Sequence, residues 1–402
     1  MNRDNIDIHE VKELRLKTLV YFGCGAIKKI SDIAQQLKKR NLNKILVVTG
    51  HGAYKSTGAW DYVKKAFADN DLEYVLYDKV TPNPTTTQID EAVKSAPDAQ
   101  AVLGIGGGSP IDAGKSAAIL LANPQFTAAD LYNYKFTPEK ALPIIAINLT
   151  HGTGTEVDRV AVATIPENEF KPAIAYDCIY PEWAIDDPAL MTGLSEKQTR
   201  FVSIDAVNHS VEAATSIIAS PLSISLAREA IALVARYLPD ALKNPKDLTA
   251  RYYLLYASLL GGTAFDNGML HYTHALEHPL SAVKPDLTHG LGLAVLLPAV
   301  VKRIYPVRAN VLADVLAPLV PGLKGVPEEA GQAAIGVERW LKSVGAPEKL
   351  QDEGFQASDL TKLTELVFTT PSLDFLLSLA PEKASRETVA EIYANSLNPI
   401  EK

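Results

Sequence analysis

The sequence predicts a doubly wound α/β domain over residues 1–192, followed by an all-α domain over residues 193–402. Three observations carry this expectation. Apolar strand-like runs alternate with helical periodicity through the first half. From Ser195 onward the strand-like runs stop and amphipathic helices take over. A chain of 402 residues also exceeds what one hydrophobic core usually serves.

The elements follow in order. Residues 1–15 are charged and expected at the surface. Thr18–Phe22 reads as a short strand running into Gly23-Cys24-Gly25-Ala26. A helix is predicted from Ile27 to Arg40, with Ile27, Ile30, Ile33 and Leu37 at helical spacing. Lys44–Thr49 is a continuous apolar strand of the kind buried on both faces of a parallel sheet, and it ends in Gly50-His51-Gly52. Next come a helix at Ala59–Asp69, a strand at Glu73–Tyr77, the stiff turn Thr81-Pro82-Asn83-Pro84, and a helix at Ile89–Ala96. Strand Ala101–Ile105 and helix Ala113–Leu121 flank a glycine run. Strand Pro143–Ile147, a hairpin from Val160–Thr164 and Pro172–Ala175, and Trp183–Pro188 complete this half. In the second half, Ser220-Pro221 is an N-cap with proline at the first helical position. Ile224, Ala227, Ile231, Val234 and Leu238 form an apolar stripe behind it. Arg251–Leu260, Leu291–Ile304, Pro327–Val344 and Arg386–Ser396 repeat the pattern.

Two turns carry chemistry in the first domain. Gly106-Gly107-Gly108-Ser109-Pro110-Ile111-Asp112 joins a buried strand to a helix. Without Cβ atoms its amides can approach a pyrophosphate closely, and the helix N-terminus adds its dipole. The spacing is not Gly-x-Gly-x-x-Gly. A tight turn needing one positive φ is the plainer alternative, and three consecutive glycines favour the phosphate. Asn148-Leu149-Thr150-His151-Gly152-Thr153-Gly154-Thr155-Glu156 brings hydroxyls and amides to the same sheet edge, where ligands of such folds bind.

The second domain carries the metal-binding chemistry. His271, His274, His278 and His289 are four of the chain's eight histidines. Asp205 and His209 stand four apart, as do His274 and His278, so on a helix each pair shares a face. Pro279 is expected to end that helix, leaving His289 on a loop. One such pair alone is more often structural, but a histidine cluster in a histidine-poor chain points to iron(II) or zinc. Cofactor turns and metal residues fall in different domains, which implies a cleft between them.

Composition bounds the remaining possibilities. Hydrophobic residues make up 47% and charged residues 21%, as in globular proteins. A net charge of −8 offers no footprint for nucleic acid. Two cysteines are too few for a disulfide framework and fit a cytoplasmic protein. No signal-peptide pattern and no apolar run of membrane-spanning length is seen. No membrane partner is expected.

Taken in register, Gly106–Asp112, Gly152–Glu156, Asp205-x-x-x-His209, His274-x-x-x-His278-Pro279-Leu280 and His289-Gly290 resemble the iron-containing (group III) alcohol dehydrogenase family over nearly the whole chain. The likeness is nearest to archaeal-type, NADP-preferring members that oxidise primary alcohols. The resemblance implies a Rossmann-like N-terminal domain, an α-helical metal-binding C-terminal domain (the dehydroquinate synthase-like plan), and one divalent metal between them. It implies Asp205, His209, His274 and His289 as metal ligands, and His278 as a non-ligand histidine near the nicotinamide, able to relay a proton. It also implies Gly106, Gly107, Gly108 and Ser109 at the diphosphate, Thr150 and Thr153 along the cofactor, Lys171 at its ribose and Leu190 against its adenosine. Asn83 and Asp112 complete the expected cofactor-binding set. The metal would acidify an alcohol hydroxyl and the nicotinamide would take its hydride. A small-molecule alcohol or aldehyde is the expected partner, and a homodimer or larger homo-oligomer the expected assembly.

The chain departs from the family pattern at His151, where a small residue is usual, and at Gly50, where many members carry an acid. An acid at that strand end would bond the ribose 2′-hydroxyl and repel a 2′-phosphate. Here Gly50 and Gly52 free amides, His51 can donate and Lys55 adds charge, so NADP is expected over NAD. Two rivals share the plan: an NAD-linked, zinc-dependent glycerol-type polyol dehydrogenase or dehydroquinate-synthase-like lyase, and a non-catalytic assembly protein. The lyase would need a basic cluster around His271–His289, which is absent; the assembly protein would be expected to lose a ligand or the glycine turn.

Overall fold

The computed structural model describes Ile6 and residues 9–401. The first domain holds β1 (Leu19–Phe22), α1 (Ile30–Lys39), β2 (Lys44–Gly50), α2 (Ala53–Ser56), α3 (Ala59–Asp69), β3 (Glu73–Val80), α4 (Thr86–Ser95), β4 (Ala101–Gly106), α5 (Gly108–Ala122), α6 (Ala128–Tyr132), β5 (Ile144–Asn148), β6 (Val160–Val162), β7 (Ala173–Ala175) and β8 (Trp183–Asp186). Six strands form one parallel sheet in the order β1-β8-β5-β4-β2-β3, and β6 and β7 form the expected antiparallel hairpin.

The continuous apolar run of β2 has a simple cause. Ile45 and Val47 enter a core with α1 and α3, while Leu46 and Val48 enter the opposite core with α4 and α5. A strand covered on both faces has no polar side, so period-two alternation disappears. After β3 the chain returns to the other side of β2, so the order reverses between β2 and β4. The glycine turn after β4 opens at this switch point, and the turn after β5 lies beside it.

The second domain is helical: α7 (Glu196–Thr215), α8 (Pro221–Lys243), α9 (Leu248–Gly268), α10 (Tyr272–Val283), α11 (His289–Val315), α12 (Ala330–Ser343), α13 (Leu360–Thr369), α14 (Leu373–Ser378) and α15 (Arg386–Asn395). A single large core unites them. Ser195 and Ser220 close capping boxes at the starts of α7 and α8.

Three expectations are corrected. Pro279 does not end its helix: α10 continues to Val283. A proline removes one backbone bond, and the burial of Leu276, Leu280 and Ala282 around it outweighs that loss. His289 is not on a loop but opens α11, behind Thr288 at the N-cap. Finally, α11 is by length and composition apolar enough to cross a membrane, although no such run was expected. Most of that window, 78%, is buried inside the domain, which makes it a core helix.

Candidate active site between the domains

The expected metal residues converge. Asp205 and His209 lie one turn apart on α7, and His274 comes from α10 packed across them. Asp205 Oδ1 is 3.3 Å from His209 Nε2 and 3.5 Å from His274 Nε2. The imidazoles of His209 and His274 are stacked 4.7 Å apart at 11°. All three residues are buried. Among the described residues, Asp205 Oδ1 and His274 Nε2 have no hydrogen-bond partner. Donor atoms about 2.1 Å from a tetrahedrally held ion lie roughly 3.4 Å apart, so this spacing suits a divalent metal.

His289 stands beside these three rather than among them. Its ring is 5.5 Å from His274 and its side chain is 28% exposed. His278 is buried with Nδ1 unpartnered, 5.9 Å from the ring of His289.

Sequence reasoning missed two buried carboxylates that orient this set. His274 Nδ1 donates to Glu212, which leaves Nε2 free to face Asp205. The other oxygen of Glu212 accepts from the backbone amides of His271 at 3.0 Å and Thr273 at 2.7 Å. One acid thus satisfies the first amides of α10 and fixes the tautomer of a candidate ligand. His289 Nδ1 donates to Glu277, whose Oε1 takes the Ser281 hydroxyl and whose Oε2 lies 3.3 Å from Lys171 Nζ. The only sequence signal was position: Glu212 stands three residues after His209, and Glu277 three after His274.

His271 resolves differently. Its Nδ1 accepts from the Tyr272 amide at 2.7 Å, so Nε2 carries the proton and donates to Thr215 Oγ1 at 2.9 Å. Both nitrogens are committed, and His271 caps the helix instead of facing the cluster.

Electrostatics favour a cation at the cluster. Burial alone would depress His274, yet Glu212 and Asp205 push its pKa up to about 9. Burial lowers His209 to about 4, keeping its imidazole neutral and available. Burial opposes ionisation of Glu212, but His274 and His271 hold it at about 2.

The glycine turn and the second turn form a cradle. A Cβ on Gly107 would lie 2.8 Å from Thr150 Cγ2, and one on Gly108 would lie 2.9 Å from Thr153 Cγ2. Only glycine leaves those two threonines room above the start of α5, where Ser109 sits in the first turn. Asp112 does not face this space. Its Oδ1 takes the Thr155 hydroxyl at 2.6 Å and its Oδ2 the Val162 amide at 3.0 Å, so it holds the second turn in place. The side-chain amide of Asn83 donates across the domain boundary to Pro285 O at 3.1 Å. Lys171, also from the first domain, reaches Glu277 and His289. Leu190 is buried against the α1–α3 side of the sheet. Gly50 ends β2, and His51, Gly52 and Lys55 are exposed just beyond it. Asp78 on β3 accepts the Tyr54 hydroxyl at 3.0 Å and, with Tyr54, raises the pKa of Lys55.

Comparison with known proteins places this architecture. Residues 17–188 match the family "Iron-containing alcohol dehydrogenase", and residues 201–397 match "Fe-containing alcohol dehydrogenase family, C-terminal". The chain is 59% identical over 393 residues to the long-chain primary alcohol dehydrogenase of Thermoanaerobacter ethanolicus, covering 97% of this chain and 98% of that one. It is 33% identical to the 1,3-propanediol dehydrogenase of Klebsiella pneumoniae, over 93% of this chain and 95% of the other. Among solved structures, the NADH-dependent butanol dehydrogenase of Thermotoga maritima superposes with a TM-score of 0.88 at 28% identity, covering 97% of this chain and 99% of that one. An archaeal halo-thermophilic alcohol dehydrogenase from a Red Sea brine pool gives 0.89 at 26% identity, covering 97% and 100%. With a metal-suited cluster in the helical domain and a glycine turn at the switch point of the sheet, the chain belongs to the iron-containing alcohol dehydrogenase family and is an oxidoreductase that works with a nicotinamide coenzyme.

Proposed function

We propose that this protein interconverts primary alcohols, long-chain ones included, and their aldehydes, with NADP(H) as the preferred coenzyme. The observation that carries the reading is the meeting of unpartnered Asp205 Oδ1 and His274 Nε2 with His209 Nε2, in a buried cluster beside His289. Asp205, His209, His274 and His289 would hold iron(II), for which zinc can substitute because such nitrogen and oxygen sites bind it strongly. When bound, the metal acidifies the substrate hydroxyl and the nicotinamide accepts the hydride.

The chain's own groups do the rest. Glu212 and Glu277 accept from Nδ1 of His274 and of His289, which leaves Nε2 of each ring as the nitrogen that can ligate. Thr150 and Thr153 line the approach to Gly107 and Gly108, where backbone amides at the start of α5 suit a pyrophosphate. His278, held neutral chiefly by burial and next by Lys171, can accept a proton on one ring nitrogen and release one from the other. The chain length follows the 59% identical relative, whose name specifies long-chain primary alcohols.

Coenzyme choice rests on the end of β2. Gly50 supplies no carboxylate to meet a ribose hydroxyl, while His51 and Lys55 are exposed where a 2′-phosphate would lie, with Lys55 Nζ 5.0 Å over the Tyr54 ring. Lys55 is held first by Tyr54 and more weakly by Asp78, so the missing acid at Gly50 counts for more than the lysine. The test compares kcat/KM for NADP and NAD across an alcohol panel, in wild type and Gly50→Asp. A Cβ at Gly50 would sit 3.1 Å from Val80 O, a contact that a small shift relieves. Wild type should favour NADP, and the variant should move towards NAD. A wild type that already favours NAD, or a ratio that does not move, would overturn the coenzyme reading.

A further inference from the structure

His151 belongs to the second turn of the α/β domain, yet its side chain is buried wholly among helices of the other domain. Its Nε2 lies 2.8 Å from Nη1 of Arg251 in α9. A guanidinium only donates, so this nitrogen must accept, and the ring proton sits on Nδ1. That proton points at Ser203 Oγ in α7, 3.3 Å away. Arg251 is itself fully buried. It donates to Thr199 Oγ1 at 2.8 Å and Pro245 O at 3.0 Å, while its Nη2 has no partner. Among the described residues no carboxylate bonds to Arg251, so the imidazole is a main acceptor for a buried cation.

The consequence is geometric. Thr150 and Thr153 flank this histidine, and they contact the positions of Gly107 and Gly108. Gly152, next in the turn, lies so close to α7 that a Cβ there would be 2.1 Å from Val202 O. Ser203 precedes the candidate ligand Asp205 by two residues on that same helix. We infer that His151 is a positioning residue, fixing the coenzyme-lining turn to the helix that carries Asp205 and His209 through the buried chain Ser203–His151–Arg251–Thr199. A tether at this point sets how far the nicotinamide end of the cradle stands from the metal residues, a distance on which hydride transfer depends steeply. The inference rests on the reading that the coenzyme lies in the two turns.

The test uses full-length, metal-loaded protein and measures NADP dissociation constants by calorimetry alongside steady-state kinetics. Losing a buried hydrogen bond to a charged group should raise both the dissociation constant and the coenzyme KM of His151→Ala about tenfold, while kcat at saturating coenzyme falls far less. His151→Gln keeps an acceptor for Arg251 and should restore most of the affinity. The double variant His151→Ala/Arg251→Met should bind no worse than the weaker single variant, since both break one chain. If His151→Ala does not fold, Ser203→Ala, which removes only a hydroxyl, decides: it should weaken coenzyme binding measurably. Folded variants that bind NADP like wild type, or a double variant whose losses add, would overturn the inference. Gly108→Val separates the two readings. If it leaves coenzyme binding intact, the coenzyme is not in the cradle at all. If it abolishes binding while the His151 variants bind normally, only the tether is wrong.

Discussion

Gly154 and Gly262 meet across the domain boundary with no side chain between them. A Cβ on Gly154 would lie 2.4 Å from the Gly262 Cα, and one on Gly262 would lie 2.7 Å from the Gly154 Cα. Gly154 also holds φ at +66°, where a side chain is strained whatever the space. The turn of the first domain and α9 of the second therefore pack backbone to backbone. Gly154→Ala should cost about 3 kcal/mol through overpacking and backbone strain together. Thermal unfolding should show a clear drop in Tm, with coenzyme affinity falling too. Gly193→Ala, where nothing lies within 4 Å of the added carbon, is the matched control and should leave both unchanged.

His209→Ala and Glu212→Gln test the metal cluster at two levels. The first removes a donor and should abolish both metal binding and turnover, with the α/β domain still folded by circular dichroism. The second keeps every proposed ligand, but with the amide oxygen held by the His271 and Thr273 amides its NH2 would face His274 Nδ1, which should weaken metal affinity roughly 10–100-fold. Elemental analysis after dialysis measures both. Full occupancy in His209→Ala would sink the ligand assignment.

His278 should behave as a relay and not as a ligand. It is buried, with an unpartnered Nδ1 and its ring 6.5 Å from that of His274. His278→Ala should retain its metal, turn over more slowly and show a changed pH dependence of kcat. An unaltered pH profile in a metal-replete variant would refute the relay.

Acid should destabilise the protein through His151. Burial, then the Arg251 charge, lowers its pKa to about 3, against an ordinary value of 6.5. The unfolded chain takes up a proton as pH falls through 6.5, whereas the folded chain does so only near 3. Stability is therefore lost across that window, on the order of 5 kcal/mol in full. His151→Gln carries no titrating ring, so its Tm should fall less steeply than that of wild type between pH 6.5 and 4. Parallel curves for the two proteins would show that the ring is protonated without cost.

Much of this was legible from local pattern. Lys44–Thr49 and Ala101–Ile105 read as buried strands because a two-sided core leaves them continuously apolar. Asp205 and His209 could be paired because a helix repeats every turn, whatever it packs against. The features that escaped depend on partners far along the chain. Glu212 and Glu277 look like ordinary helix charges until α10 docks on α7 and buries both. Arg251, read as part of a plain amphipathic helix, is fully buried and meets a histidine 100 residues away. Pro279 misled because the rule that proline ends helices weighs the backbone alone, and here tertiary packing outweighs it.

The end of β2 and the turn after β5 differ in how freely they can vary. Gly50 closes β2 and His51, Gly52 and Lys55 are exposed beyond it, while Tyr54 among them is anchored in the core on the α1–α3 side of the sheet. His151, Gly152 and Gly154 are each pinned against α7 or α9, so a change at any of them is felt by α7, which carries Asp205 and His209, or by α9 packed against it. On the proposed placement of the coenzyme, selection or a protein engineer can rewrite the choice between NADP and NAD at the exposed positions His51, Gly52 and Lys55, with Tyr54 left in its core. Altering how the coenzyme's reactive end is presented demands compensating changes in both domains at once.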